Sequence, residues 1–231
     1  MILSLIRQKL ALSQWQTLLE KIHYFECNYD KQFKSIEKII QKFPDQKSKI
    51  LFWIIQNALV SFQLSWNWEN RREEFSNYVI DNLDIFLTNN FTFRKNLLSN
   101  CKNNQRFKNL KLQRIKKSLK IQDIIKNHRK NLYHNMINLN KLLSEIMNQP
   151  KTAKTIVFAV KMFGYWARIN YKFIPYPFEI DIPVDSRITK IYLKEKRVDQ
   201  ATPKEIRNYF RQLSRQIWLP PLHLDSLLWV K

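Results

Sequence analysis

The sequence predicts an all-α protein, and three observations carry that expectation. Helix breakers are scarce: of eight prolines only Pro44 and Pro150 fall in the first 150 residues. There is one glycine, Gly164, too few for a turn-dense β-sandwich or a collagenous chain. Apolar residues recur in runs of helical length, and a content of 45% hydrophobic and 13% aromatic side chains is enough to build a substantial core.

In chain order, residues 1–149 read as successive helices. Lys49 to Leu64 is apolar nearly all round, the pattern of a central buried helix. The stretch from Glu69 to Phe86 is amphipathic, and Asn89-Asn90 and Asn103-Asn104 read as turns between helices. Residues 94–131 hold thirteen Lys/Arg against one acid, Asp123. Leu110, Leu112, Ile115, Leu119, Ile121, Ile124 and Ile125 are threaded through that segment, so it is expected to fold onto the core. Residues 150–170 give the clearest helix, almost wholly apolar from Lys154 onward. Ile174 to Val184 is expected to be extended, because Pro175, Pro177, Pro183 and the residues before them disfavour helix. Asp185 is placed to cap a helix that starts at Ser186. Thr202-Pro-Lys-Glu205 has the cap residue, first-turn Pro and third-position Glu of another helix start. Trp218-Leu-Pro-Pro221 breaks that helix, and His223 to Val230 reads as a last short one.

Charge narrows the function. Forty Lys+Arg against nineteen Asp+Glu leave a formal net charge of +21, which repels itself on a folded domain and attracts polyanions. The basic segment 94–131 reads as a phosphate-contacting face, since an ordinary solvated helix face mixes signs to form i,i+4 pairs. One glycine cannot write a Walker A loop or a dinucleotide fingerprint, which argues against P-loop ATPases, protein kinases and Rossmann dehydrogenases. Cys27 and Cys101 make no CxxC, and the four His make no metal motif. No apolar run reaches the length of a membrane span or a signal peptide, so a soluble cytoplasmic protein associated with the nucleoid is expected.

Three places in the sequence can do chemistry. Lys154 stands at the entrance of an apolar helix, where desolvation and the positive end of the helix dipole favour the uncharged, nucleophilic amine. Phe158 and Lys161 follow it at i+4 and i+7 on the same face, so an amine, a ring and a second amine share one stripe. Asp185 ends a rigid proline-containing stretch, and a fixed carboxylate there can stabilise a developing sugar cation. Asp225 and Trp229 are i,i+4 near the C-terminus, a carboxylate and a ring suited to gripping a base. Each residue taken alone also has an ordinary reading: a solvated lysine at a helix start, a plain N-cap, and a Trp docking in the core.

The three places together change that reading. Lys154-Thr-Ile-Val-Phe-Ala-Val-Lys-Met162, then Pro177-Phe-Glu-Ile-Asp-Ile-Pro-Val-Asp-Ser-Arg187, then Pro220-Pro-Leu-His-Leu-Asp-Ser-Leu-Leu-Trp229 resembles AGOG, the archaeal-type 8-oxoguanine DNA glycosylase/AP lyase family. Asn57-Ala-Leu-Val-Ser-Phe62 is similar to its buried central helix. The resemblance implies the all-α helix-hairpin-helix glycosylase fold, with two helical subdomains flanking an active-site cleft. It implies one domain over residues 1–231, its subdomains interleaved, with hairpin and catalytic helix at about 140–170. By the same resemblance Lys154 is the Schiff-base lysine and Asp185 the catalytic aspartate. Phe158 and Trp229 sandwich the extruded base, while Lys161, Asp225 and Gln32 contact it. A pocket Trp of the family falls near Arg72 here, and Trp68, one turn earlier, is expected to take its place. The hairpin stretch Met147 to Ala153 lacks the glycine usual in the superfamily. The implied partner is double-stranded DNA containing 8-oxoguanine, met by a monomer with no metal or redox cofactor. A non-catalytic basic nucleic-acid-binding helical protein accounts equally well for the charge, but not for the three blocks.

Overall fold

The computed structural model describes residues 12–62, 77, 80, 81 and 106–229. Among them all regular structure is helical: α1 (Leu12–Tyr29), α2 (Lys31–Lys42), α3 (Lys47–Leu59), α4 (Lys108–Ser118), α5 (Gln122–His134), α6 (Met136–Met147), α7 (Lys154–Asn170), α8 (Ser186–Lys196), α9 (Pro203–Gln216) and α10 (Pro221–Trp229), with short 3₁₀ turns at Pro44–Gln46 and Leu119–Ile121. None of these helices is long and apolar enough to cross a membrane.

The apolar side chains separate into two main clusters. The larger joins α2, α3, α5, α6 and α7, with Leu51, Ile55, Leu139, Leu143, Ile156, Val160 and Phe163 in its interior. Helix α7 lies along α3, so two largely apolar segments bury each other. The second cluster joins α1, α8, α9 and α10 through Leu19, Ile22, Ile188, Phe210, Leu213 and Leu224. A helix-free strap, residues 171–185, passes from one to the other: Tyr176 and Ile180 belong to the first, Ile182 to the second.

With no helix or sheet of its own, the strap needs other partners for its backbone. Tyr133 supplies two, accepting from Ile174 N–H at 2.8 Å and donating to the Lys172 carbonyl at 3.1 Å. His223 Nε2 accepts from Tyr176 N–H at 3.3 Å. Asp181 takes a forked pair of bonds from Arg211 Nη2, at 2.7 and 2.8 Å. The Tyr176 hydroxyl donates to the Lys161 carbonyl at 2.6 Å, which lays its ring directly over Gly164. A Cβ on residue 164 would run into that ring, so the chain's one glycine serves a close approach rather than a turn.

Local chemistry sets the helix boundaries. Asp185 and Thr202 cap α8 and α9 as expected, Thr202 in a full capping box with Glu205. The final helix starts at Pro221, two residues before the expected His223, because Pro fits the first helical position. The central helix stops at Leu59 rather than continuing to Leu64, and Arg114 of α4 donates at 3.0 Å to the Leu59 carbonyl left free there. The glycine-free hairpin closes with Asn148 in the left-handed region at φ 50°, where Asn is tolerated.

The basic segment departs in part from a solvated phosphate face. Lys116, Lys117, Lys120, Lys126 and Lys130 are exposed. Lys111, however, is fully buried over the Phe62 ring, and Arg114 turns inward to Leu59, Thr155 and Gln149. Ile115, Ile121 and Ile125 are buried as expected, but Leu110 and Leu119 are exposed, each lying on the outer side of its turn. The amphipathic stretch from Glu69 to Phe86, apart from Asn77, Ile80 and Asp81, the two Asn-Asn turns, residues 94–105 and Trp68 lie outside the described residues.

Candidate active site

The first-cluster helix α7 faces strap, α8 and α10 of the second cluster, and the candidate residues collect where they meet. Helix α7 starts at Lys154, behind an N-cap, Ala153, that has no side chain to offer. Its stripe runs Lys154, Phe158, Lys161, Tyr165 and Arg168, at helical spacing. The charged groups of this helix therefore fall on one side, outermost first.

At the outer end, Lys154 Nζ stands 3.9 Å from Asp185 Oδ2. The lysine side chain is 46% exposed and the aspartate 8% exposed. Lys154 is therefore covered only in part; it is Lys161 that is fully buried. Asp185 is held by its own helix start, since Oδ1 accepts from the N–H groups of Arg187 at 3.0 Å and Ile188 at 2.9 Å. One carboxylate oxygen is thus anchored and the other turns toward the amine. The anchored strap behind it and the α8 N-terminus in front leave the carboxylate little freedom.

Two turns deeper, Lys161 is fully buried, with Nζ 2.6 Å from Asp225 Oδ2 and 4.0 Å from Asp30 Oδ2. Asp225 Oδ1 accepts from the indole N–H of Trp229 at 3.0 Å. Burial pushes the Asp225 carboxyl up, against the opposing pull of Lys161. Asp30 caps α2 by accepting from Gln32 N–H at 2.7 Å, and its other oxygen takes the Tyr165 hydroxyl at 2.7 Å. Burial and the Asp30 charge hold the Tyr165 phenol well above its ordinary range, so it stays a donor. Gln32 is itself buried, and its amide oxygen has no hydrogen-bond partner among the described residues.

Beneath this lies a further buried set. Glu26 accepts from Arg168 and from His223 Nδ1 at 2.9 Å. Burial alone would raise the Glu26 carboxyl, but His223 and Arg168 bring it down to about 2. His223 Nε2 accepts from the strap while Nδ1 faces Glu26, and burial pushes the imidazole below its ordinary range.

An open amine–carboxylate pair thus stands above a buried polar cluster. The model of the AGOG family, described as N-glycosylase/DNA lyase, matches residues 12–231. The chain belongs to the AGOG family. An N-glycosylase/DNA lyase of Nanoarchaeum equitans is 38% identical over 215 residues, covering 93% of this chain and 85% of that protein. One from Thermococcus kodakarensis is 34% identical over 221 residues, covering 91% and 78%. In fold, the chain is similar to an 8-oxoguanine DNA glycosylase of Pyrobaculum aerophilum, Pa-AGOG, solved in complex with 8-oxoguanosine, with a TM-score of 0.73 at 21% identity, covering 99% of this chain and 84% of that one.

Within this AGOG chain the tertiary structure joins Lys154 with Asp185, and Lys161 with Asp225 and Trp229. Gln32 reaches the second group through Asp30, and Phe158 sits on α7 between the two lysines, half-buried against the larger cluster. Sequence reasoning missed Asp30, Tyr165, Arg187 and the Glu26–Arg168–His223 set. Three of these residues had a signal. Tyr165 and Arg168 continue the α7 stripe past Lys161, and Asp30 stands where a helix cap belongs. Glu26 had none, since its partners lie 142 and 197 residues away.

Proposed function

We propose that this AGOG chain excises 8-oxoguanine from duplex DNA and then cuts the strand at the resulting site. The observation that carries the reading is the pairing, along one helix face, of an open Lys154–Asp185 couple with a buried Lys161–Asp225–Trp229 group. Sugar C1′ is unreachable inside the stack, so the nucleotide must first be extruded. Phe158 and Trp229 stack on the base. Lys161, Asp225 and Gln32 meet its edge. The oxidised base carries a donor at N7 where guanine has a bare acceptor, and the buried Gln32 amide oxygen is an acceptor of the kind that favours it.

Lys154 Nζ then attacks C1′ as the bond from C1′ to the base breaks, and the base leaves with the proton that Asp185 Oδ2 relays from the amine. Asp185 Oδ2, held opposite the amine, steadies the cationic sugar and accepts the lysine's proton. The ring opens to a Schiff base between Nζ and C1′. That iminium acidifies the C2′ proton, and its loss expels the 3′ phosphate by β-elimination. The exposed lysines of α4 and α5 supply phosphate contacts that position the duplex.

A panel of duplexes, each carrying one lesion, tests the reading by base release, strand cutting and borohydride trapping. The expected result is release of 8-oxoguanine with a trapped protein–DNA adduct. Release of another damaged base, or cutting confined to preformed abasic sites, would overturn the substrate assignment. Binding without any covalent adduct would overturn the chemistry.

A further inference from the structure

Resting on that reading, we infer that Arg187 is a positioning residue that locks Trp229 in place for base excision. Trp229 is the last residue of the nine-residue helix α10, a place where helices leave carbonyls unsatisfied and ordinarily fray. Arg187 answers both problems. Its Nη2 donates to the Trp229 carbonyl at 2.7 Å, and its guanidinium lies over the indole with Cζ 4.3 Å from the ring centroid. A cation at the negative end of a helix dipole is favourable as well. With the Asp225 bond to the indole N–H, the ring is fixed at its edge, its backbone and one face. The face under the guanidinium is thereby closed to a base.

The same residue begins at the sugar chemistry. Arg187 N–H donates to Asp185 Oδ1, so one residue spans the carboxylate that meets C1′ and the ring that meets the base. The two bonds come from different parts of the residue. Replacing the side chain removes the Trp229 clamp and leaves the cap on Asp185 intact, which makes the inference separable from catalysis at the sugar.

Single-turnover excision from an 8-oxoguanine duplex and cutting of a preformed abasic site are compared for Arg187→Ala, Arg187→Lys, Trp229→Ala and the Arg187→Ala/Trp229→Ala double variant. Arg187→Ala is expected to slow excision about tenfold, in line with losing one charge-assisted hydrogen bond, and abasic cutting less than about twofold. Arg187→Lys, which keeps the charge but not the planar fork, falls between it and the wild type. In the Trp229→Ala background the arginine loss is expected to add less than about twofold. Equal losses in both reactions, as a simple phosphate contact would give, or a full tenfold loss on top of Trp229→Ala, would overturn the inference. Fluorine NMR of protein labelled with 5-fluorotryptophan tests the clamp without any substrate. The resonance assigned by Trp229→Phe should shift or broaden in Arg187→Ala, and an unmoved resonance would overturn the clamp even if excision is established.

Discussion

Two lysine–aspartate pairs stand seven residues apart on one face of α7, and they are opposites. Lys154 is 46% exposed and 3.9 Å from its aspartate; Lys161 is fully buried and 2.6 Å from its own. The first pair is open to solvent at its lysine and lies beyond hydrogen-bond distance. The second is locked, with each Asp225 oxygen already accepting a hydrogen bond from Lys161 or Trp229. Residue type does not separate nucleophile from pocket wall here. Depth along the helix does, because a covalent step needs access and a recognition surface needs fixed geometry.

Exchanging the roles is the sharpest way to break this comparison. Lys154→Gln is expected to abolish the borohydride-trapped adduct and slow base release by at least about a thousandfold. An adduct that persists in this variant, mapped to Lys161 by peptide mass, would mean that the buried amine is the reactive one. The converse change, Lys161→Met, acts first on stability. It leaves the Asp225 carboxylate buried without its cation, a loss of about 3–5 kcal/mol by urea unfolding. The Lys161→Met/Asp225→Leu pair should recover much of that loss, since a buried ion pair is often replaceable by apolar groups but not by half of itself.

Asp185→Asn separates the two functions of the open pair's carboxylate. Asparagine still caps α8, so stability should change by less than about 1 kcal/mol while base release falls about a hundredfold. Equal effects on folding and rate would make Asp185 a cap and nothing more. Gly164→Ala probes the strap from beneath. Its methyl meets the Tyr176 ring, and a loss of about 1–3 kcal/mol is expected, with base release reduced further than that loss predicts if the strap carries Asp185 out of register.

The smallest effect is a pH dependence set by the buried side. Burial and the nearby Arg168 charge lower the His23 imidazole to about 4, from 6.5. Between those values the unfolded chain binds a proton that the folded chain does not, so stability falls as pH drops from 6.5 toward 4. His223 contributes in the same direction. Glu26, held at about 2, adds a second loss as pH falls below its ordinary 4.5 toward that value. Urea midpoints measured across this range should show the slope, and His23→Gln should flatten its upper part. An unchanged slope would assign it elsewhere.

Much of this was legible in the sequence, for local reasons. The scarcity of breakers, the apolar runs and the Thr202–Glu205 capping box fixed helices whose stability is decided within a few residues. Asp185 was readable as a cap, and the stripe from Lys154 through Phe158 to Lys161 followed from helical spacing. The errors were local judgements overridden at a distance. The central helix ended early, and Arg114, 55 residues on, takes the Leu59 carbonyl left free at its end. Two cations of the basic segment turned inward because an aromatic ring and a helix end were waiting there.

The sequence by itself determined the helices and the polyanion-seeking charge, since each depends on composition or on spacing along the chain, and it carried the three blocks by which the chain resembles its family. Only the tertiary structure decided which lysine is open and which is sealed, what the solitary glycine is for, and that Arg187 reaches Trp229. Those outcomes depend on which surfaces of two apolar clusters come together. Burial and hydrogen-bond partnership across tens to hundreds of residues leave no periodic trace in the chain that makes them.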